Sequence, residues 1–113
     1  MTNITCKQQY DKSPDEVLGV QIDFRGLLRQ GEVLTGTPTL TATGITANSG
    51  AVSTGVLLIN GEMVDAGKAV TCTISGGSDG TNYMILAKCG TSMSQTRECG
   101  IRVKVATPTY AAP

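Results

Sequence analysis

The clearest pattern in the chain is a strict alternation of apolar and polar residues near its C-terminus. It occupies "YMILAKC" (83–89) and "CGIRVKV" (99–105), which are separated by the polar stretch 90–98. A period of two residues is typical of strands that bury one face, so these segments predict a long β-hairpin. Its predicted inward side chains are Tyr83, Ile85, Ala87, Cys89, Cys99, Ile101, Val103 and Val105.

Shorter strand patterns occur along the rest of the chain. The predicted strands are "VQIDF" (20–24), the Thr-rich segment 32–46, "TGVLLIN" (54–60) and "KAVTCTISGG" (68–77). Pro38 lacks a backbone donor, so its strand should lie at a sheet edge or contain a bulge. The stretch "ANSGAVS" (47–53) is predicted to be a loop. Six or seven short strands separated by turn signals indicate an all-β sandwich rather than βαβ units.

Helical signals are brief. "SPDEVL" (13–18) has the residues of a helix start, with Ser13 as the cap and Pro14 at the first position, but Gly19 stops it. "RGLLRQG" (25–31) predicts a turn or a single helical turn.

The length of 113 residues favours one domain. We predict a polar N-terminal arm over 1–12, a single sandwich domain over 13–106 and a tail over 107–113, because the two C-terminal prolines should leave the sheet.

The four cysteines are widely spaced and contain no CxxC pair, and the chain has no histidine. That spacing argues against a zinc site. Cys72, Cys89 and Cys99 fall on inward strand faces, so we interpret them as buried structural thiols. A disulfide, Cys89–Cys99 or Cys72–Cys89, is the alternative under oxidation, and a reactive thiol is the least favoured interpretation.

Charge and hydropathy exclude several classes of partner. Lys plus Arg and Asp plus Glu both number 9, and no basic stripe is visible, which argues against a nucleic-acid binder. No run approaches 18 apolar residues, so we predict no transmembrane helix and no membrane partner. The N-terminus has no apolar signal-peptide core, which favours synthesis in a cytosol.

The stretch "SGGSDGTNYMILAKC" (75–89) looks at first like a phosphate-binding loop. It has no lysine at the required place, and a strand rather than a helix follows it. Without histidine, Ser–His–Asp and Cys–His sites are excluded. The carboxylates are scattered, as on a solvated surface. We therefore predict no enzyme activity, no catalytic residue, no cofactor and no metal.

The same stretch, followed by "TRECGIRVKV" (96–105), resembles the last two strands of immunoglobulin-like and fibronectin type III-like domains. In those domains a Gly/Thr turn precedes a corner tyrosine whose hydroxyl binds nearby backbone. The resemblance implies an Ig-like sandwich in which Tyr83 and Gly80 form a structural corner. The alternative for Tyr83 is an ordinary core tyrosine.

A second resemblance covers most of the chain. "YDKSPDEVLGVQIDFRGLLRQGEVL" (10–34), the "SGGSDGTNY" turn and the final hairpin with Arg97–Glu98 are similar to small virion proteins of tailed bacteriophages. The departures are Phe24, where Trp is more usual, and the four cysteines. The matching residues are Pro14, Glu16, Ile22, Asp23, Phe24, Leu27, Leu28, Gly31, Glu32, Gly76, Gly77, Gly80, Thr81 and Tyr83.

Such phage proteins are described as fibre–tail adaptors or as Ig-like accessory proteins of the head or neck. The resemblance implies a virion protein that joins neck, tail, capsid or fibre proteins in many copies of a symmetric assembly. Edge strands and the arm could supply contacts by β-addition. The alternatives are a capsid decoration (cement) protein and a carbohydrate- or receptor-binding Ig-like module, although the low aromatic content disfavours the latter.

The block "IDFRGLL" (22–28) offers a candidate protein-contact surface made of Ile22, Phe24, Leu27 and Leu28. The competing interpretation, which we favour, is that these four side chains fill the core.

Overall fold

A computed structural model describes residues 9–59 and 61–107. Within that part the chain forms strands and one short 3₁₀ turn, Arg25–Leu27. The strands are β1 Gln9–Lys12, β2 Leu18–Asp23, β3 Leu34–Ala42, β4 Thr46–Val52, β5 Leu57–Ile59, β6 Glu62–Val64, β7 Ala69–Ser75, β8 Thr81–Thr91 and β9 Thr96–Val105.

The strands form a sandwich of two sheets and a small separate hairpin. One sheet has the order β1-β9-β8-β3, the other has the order β2-β7-β4, and β5 and β6 form a two-stranded sheet. The prediction of an all-β sandwich with at most one or two helical turns is confirmed. Its immunoglobulin-like type stays a prediction.

The core lies between the two sheets and follows the alternation of the sequence. Ile85 and Ile101 lie opposite each other in the antiparallel β8–β9 register, and both are buried against apolar side chains of β2 and β7. Burying each such side chain contributes about 1.5–3 kcal/mol. The predicted hairpin is correct, but its loop is shorter than 90–98, because pairing continues to Gly90 and Thr96.

One open side of the sandwich is closed by a tyrosine. The Tyr10 hydroxyl donates to the Gln21 carbonyl at 2.8 Å and accepts from the Gln21 N–H at 3.1 Å. This contact ties β1 of one sheet to β2 of the other. Residues 9–12, predicted to belong to the arm, therefore form β1, which pairs in parallel with β9. Residues 1–8 and 108–113 lie outside the described residues.

The opposite side is closed by β3 and β4. A Cβ at Gly50 would lie 3.0 Å from the Leu40 side chain and 3.4 Å from Pro38, so the two strands pack closely there. β3 is an edge strand with a register shift around Pro38, as predicted. The predicted loop over 47–53 is wrong, because it forms most of β4. A bulge at Ser49, whose φ is 59°, interrupts its alternation.

The expected helix start at 13–18 forms only a turn. The Ser13 N–H donates to the Glu16 carboxylate at 2.7 Å, and the Glu16 N–H donates to the Ser13 carbonyl at 3.2 Å. The first contact is the glutamate half of a capping box, and the second is the backbone bond of a turn. No helix follows, because β2 begins at Leu18.

A buried lysine ties β1 to the turn that follows β7. Lys12 is 2% exposed. Its ammonium donates to the carbonyls of Gly76 at 2.6 Å, Ser13 at 2.7 Å and Pro14 at 3.3 Å. Three acceptors match the three donors of an ammonium, so burial leaves none of them unsatisfied.

Replacing Lys12 with Met should lower the free energy of unfolding by about 2–4 kcal/mol, because three carbonyls lose a charged donor. Urea denaturation measures the change. Lys104→Met is the matched control: Lys104 is exposed on β9, so its loss should change stability by no more than about 0.5 kcal/mol. Equal effects of the two substitutions would contradict the assigned role of Lys12.

The cysteines follow the predicted faces, but not all of them are thiols. Cys72 and Cys89 are buried and free, and burial raises the pKa of both. Cys99 is also buried, but it is disulfide-bonded. The suggested bridges Cys89–Cys99 and Cys72–Cys89 do not form. In the hairpin register Cys89 lies opposite Arg97, and Cys99 lies opposite Ala87.

Cys72 and Cys89 should react with a thiol reagent at least 100-fold more slowly in the native protein at pH 8 than in urea, because burial disfavours the thiolate. Peptide mapping after timed alkylation measures each cysteine separately. Rapid native labelling of either residue would show that its thiol is accessible and overturn the structural interpretation.

Candidate protein-contact surface

The four residues proposed as a contact surface lie mainly inside the protein. Ile22 and Phe24 are completely buried between the sheets, and Leu27 and Leu28 are partly buried against the same core. Ile22 and Phe24 therefore offer no side-chain surface to a partner. Their position follows from the inward face of β2, which continues into the 3₁₀ turn.

Tyr83 and Gly80 lie at the corner that leads into β8. The Tyr83 hydroxyl accepts a hydrogen bond from the Ser78 N–H at 2.8 Å, and this bond lowers the pKa of the tyrosine. Gly80 has a φ of +82° and donates its N–H to the Val105 carbonyl at 2.8 Å. All of these contacts are within the protein, so the stretch that resembled a phosphate loop serves as a turn.

Most of the large apolar side chains that are exposed lie at the opposite end of the sandwich. We call this the hairpin end and define it by segments 24–34, 53–59, 61–68 and 91–96. Among the described residues, it carries four of the six large hydrophobic side chains that are exposed. They are Val56, Leu58, Met63 and Met93, which are 55%, 64%, 66% and 39% exposed.

The β5–β6 hairpin holds Leu58 and Met63 outside the core. These two residues lie directly opposite each other on the two strands. Their neighbours Ile59 and Val64 point inward and pack with Ala69 in a small core of their own. Alternation along such short strands therefore gives the hairpin a buried face and an exposed apolar face.

An arginine from the 3₁₀ turn fastens this hairpin to β2. The Arg25 guanidinium contacts the Asp23 carboxylate at 2.8 Å, Glu62 at 3.1 Å and the Met63 carbonyl at 3.3 Å. Burial acts to raise the pKa of Asp23, but the hydrogen bonds and charge of Arg25 hold that pKa below its usual value. Arg25 thus orients β6 from the side.

The base of the hairpin is fixed by backbone hydrogen bonds. The Gly67 N–H donates to the Ser53 carbonyl at 2.9 Å and contacts its hydroxyl at 3.1 Å. The Gly67 carbonyl accepts from the Leu34 N–H at 2.7 Å, which connects the base to β3. Gly67 has a φ of +82°, and a Cβ there would lie 3.2 Å from Val33. A glycine is therefore required at this position.

The sequence pattern does not reveal this surface, for a physical reason. The apolar run in 54–60 predicts a strand, but it gives no sign that Leu58 is exposed or that Val56 precedes the strand. The available signal was the hairpin turn signature "NGE" (60–62), with Leu58 before it and Met63 after it.

Metal-binding clusters and membrane-spanning helices are both absent from the part of the chain that the structure describes. Residues 9–59 and 61–107 contain no group of three or more side chains suited to hold a metal ion. The same residues include no helix long and apolar enough to cross a membrane.

Comparison with known proteins identifies the family. No curated protein matches the chain. A family model described as "Podophage GP4 fiber-tail adaptor protein gp77" matches residues 12–104, which are 93 of the 113 residues. The match confirms the resemblance to virion proteins of tailed bacteriophages. It covers the strands β2 to β8, all but the last residue of β9, and the last residue of β1. The chain therefore belongs to the podophage GP4 fibre–tail adaptor protein gp77 family.

Proposed function

We propose that this protein is a structural adaptor that joins tail and fibre proteins of a phage virion through protein–protein contacts, in several copies per particle. The observation that carries the proposal is the family match over residues 12–104. We further propose that the hairpin end, with Leu58 and Met63 at its centre, is one of the contact surfaces.

The edges of the sandwich are poorly suited to β-addition. On one side the Tyr10 hydroxyl already binds both backbone groups of Gln21. On the other side the edge strand β3 has a shift in its register with β8, and it packs closely on Gly50 of β4. Pro, bulges and covered edges are the features by which proteins block strand addition. This argument supports contact through an end of the sandwich.

The hairpin end has the chemical character of an interface. Exposed apolar groups that lie together, rather than singly, mark contact sites on soluble proteins. Leu58 and Met63 form such a pair, on a hairpin that Arg25 and Gly67 hold in a fixed position. A prearranged surface loses little conformational entropy on binding. Methionine also adapts its shape to a partner more readily than branched side chains do.

Reconstitution tests the adaptor function directly. Particles assembled without this protein are mixed with purified fibres, with or without the purified protein, and bound fibres are counted by electron microscopy. Fibres should attach only when the protein is present. Attachment without it would overturn the proposal. So would labelled protein on the capsid surface alone, as expected of a decoration protein, or retention of fibre-free protein on host glycans.

The double substitution Leu58→Asp, Met63→Asp should weaken attachment by about 10- to 100-fold, because two apolar anchors become charged. The change is measured by fibre counts over a concentration series. Met84→Asp is the matched control: Met84 is 60% exposed, but it lies on β8, away from the hairpin end.

Circular dichroism and thermal denaturation should show that both variants keep the wild-type fold. Equal loss of attachment in the control, or full attachment in the double variant, would contradict the assignment of the contact to the hairpin end.

A further inference from the structure

A buried carboxylate lies beneath the hairpin end. Glu32 is 1% exposed, although its residue type is rarely buried. One carboxylate oxygen accepts from the Arg29 N–H at 2.8 Å, and the other accepts from the Thr91 hydroxyl at 2.5 Å. Both oxygens are therefore satisfied, and Glu32 connects the segment before β3 to the end of β8.

The Thr91 hydroxyl organises the turn between β8 and β9. Its oxygen accepts from the N–H groups of Met93 and Gln95, both at 3.2 Å, while its proton is given to Glu32. The turn also contains Ser94 in the left-handed region, with φ of 59°. A non-glycine residue there needs local hydrogen bonds to hold it.

The residues after Glu32 extend the connection to the hairpin. The Val33 carbonyl accepts from the Ser92 N–H at 2.8 Å, and the Val33 N–H donates to the Ser92 hydroxyl at 3.1 Å. The next residue, Leu34, binds the Gly67 carbonyl at the hairpin base. Residues 32–34 therefore contact both apolar parts of the hairpin end, the turn with Met93 and the β5–β6 hairpin.

We propose that ionised Glu32 is a positioning residue for the contact surface: its carboxylate fixes the Met93 turn relative to the β5–β6 hairpin through Thr91. We call Glu32, Thr91 and the N–H groups that they accept the Glu32–Thr91 network. The positional role stands on these contacts alone, whereas its importance for fibre attachment rests on the proposed function.

The hydrogen bonds and charges around the network favour the ionised form of Glu32. The Arg29 N–H contributes most, followed by the Thr91 hydroxyl. Burial acts to raise the pKa of Glu32, but these hydrogen bonds and the positive charges of Arg29 and Arg97 hold that pKa below its usual value. Because the folded pKa lies below the unfolded value, the carboxylate stabilises the fold at neutral pH. This contribution is lost as the pH falls through the folded pKa.

Glutamine cannot replace the carboxylate in the network. An amide has one acceptor oxygen and one NH₂ group, whereas Glu32 accepts from two donors. If the NH₂ faced Thr91, it would compete with the Met93 and Gln95 N–H groups for the same hydroxyl oxygen. If it faced the Arg29 N–H, two donors would meet. Glu32→Gln therefore removes one hydrogen bond with almost no change in size.

Amide hydrogen exchange of the full chain at pH 7 tests the positional role. Glu32→Gln and Thr91→Val should each reduce protection of the Met93 and Gln95 amides by at least about 10-fold, the loss of about one charge-assisted hydrogen bond. Thr91→Ser, which keeps the hydroxyl, should leave the protection of these two amides as it is in the wild-type protein. Glu98→Gln is the control, because Glu98 is an exposed side chain on β9. Amides of β7 should stay protected in every variant.

A pH titration separates positioning from general stabilisation. In wild-type protein the backbone NMR signals of Met93 and Gln95 should shift with a midpoint below 4.5, the ordinary value for glutamate. The same step should be absent in Glu32→Gln. Unchanged exchange in both Glu32→Gln and Thr91→Val, or an identical titration in wild type and Glu32→Gln, would overturn the proposal.

The fibre-attachment assay then distinguishes the two proposals. Glu32→Gln and Thr91→Val should reduce attachment, and Thr91→Ser should not. If exchange changes as expected but attachment does not, the network positions the turn but does not serve fibre binding, and that part of the inference is wrong. If wild-type protein fails to attach fibres, the proposed function fails, while the exchange result still decides the role of Glu32.

Discussion

Closure of the two open sides of the sandwich is the constraint on which the rest of the structure depends. A two-sheet fold of this size buries its apolar faces easily, but it leaves strand edges on both sides. Here the Tyr10 hydroxyl binds Gln21 across one side, and Leu40 and Pro38 pack on Gly50 across the other. The ends and outer faces of the sheets are what remains for contacts between proteins.

This constraint explains why the β5–β6 hairpin is built as a separate unit. A side chain such as Leu58 has no place in the main core, because the sheets already fill it with inward residues of β2, β7, β8 and β9. The hairpin instead makes its own small core with Ala69 at the start of β7. It can therefore expose Leu58 and Met63 without disturbing the packing between the sheets.

The sequence predicted what regular alternation determines and missed what single contacts determine. The β8–β9 hairpin was predictable because its period of two continues through both strands. β1 was missed because its residues are mostly polar. The hydrogen bonds of the Tyr10 hydroxyl and of the Lys12 ammonium hold this strand in position, and the Lys12 partner Gly76 is 64 residues away. The burial of Glu32 was equally hidden, since Thr91 lies 59 residues along the chain. The exposure of Leu58 was not predictable, because the continuous apolar run that contains it gives no alternation to distinguish one strand face from the other.

The hairpin end combines exposed apolar side chains with the buried Glu32–Thr91 network, and the two contribute different physical properties. Apolar side chains supply binding energy, but they specify direction weakly. Hydrogen bonds to a buried carboxylate are directional, and each unmet partner is costly, so they fix a turn in one arrangement. In this chain Met93 lies on the turn between β8 and β9 and Leu58 lies on the β5–β6 hairpin, and residues 32–34 bind both that turn and the base of the hairpin. A partner would thus meet a surface whose shape is set before it binds.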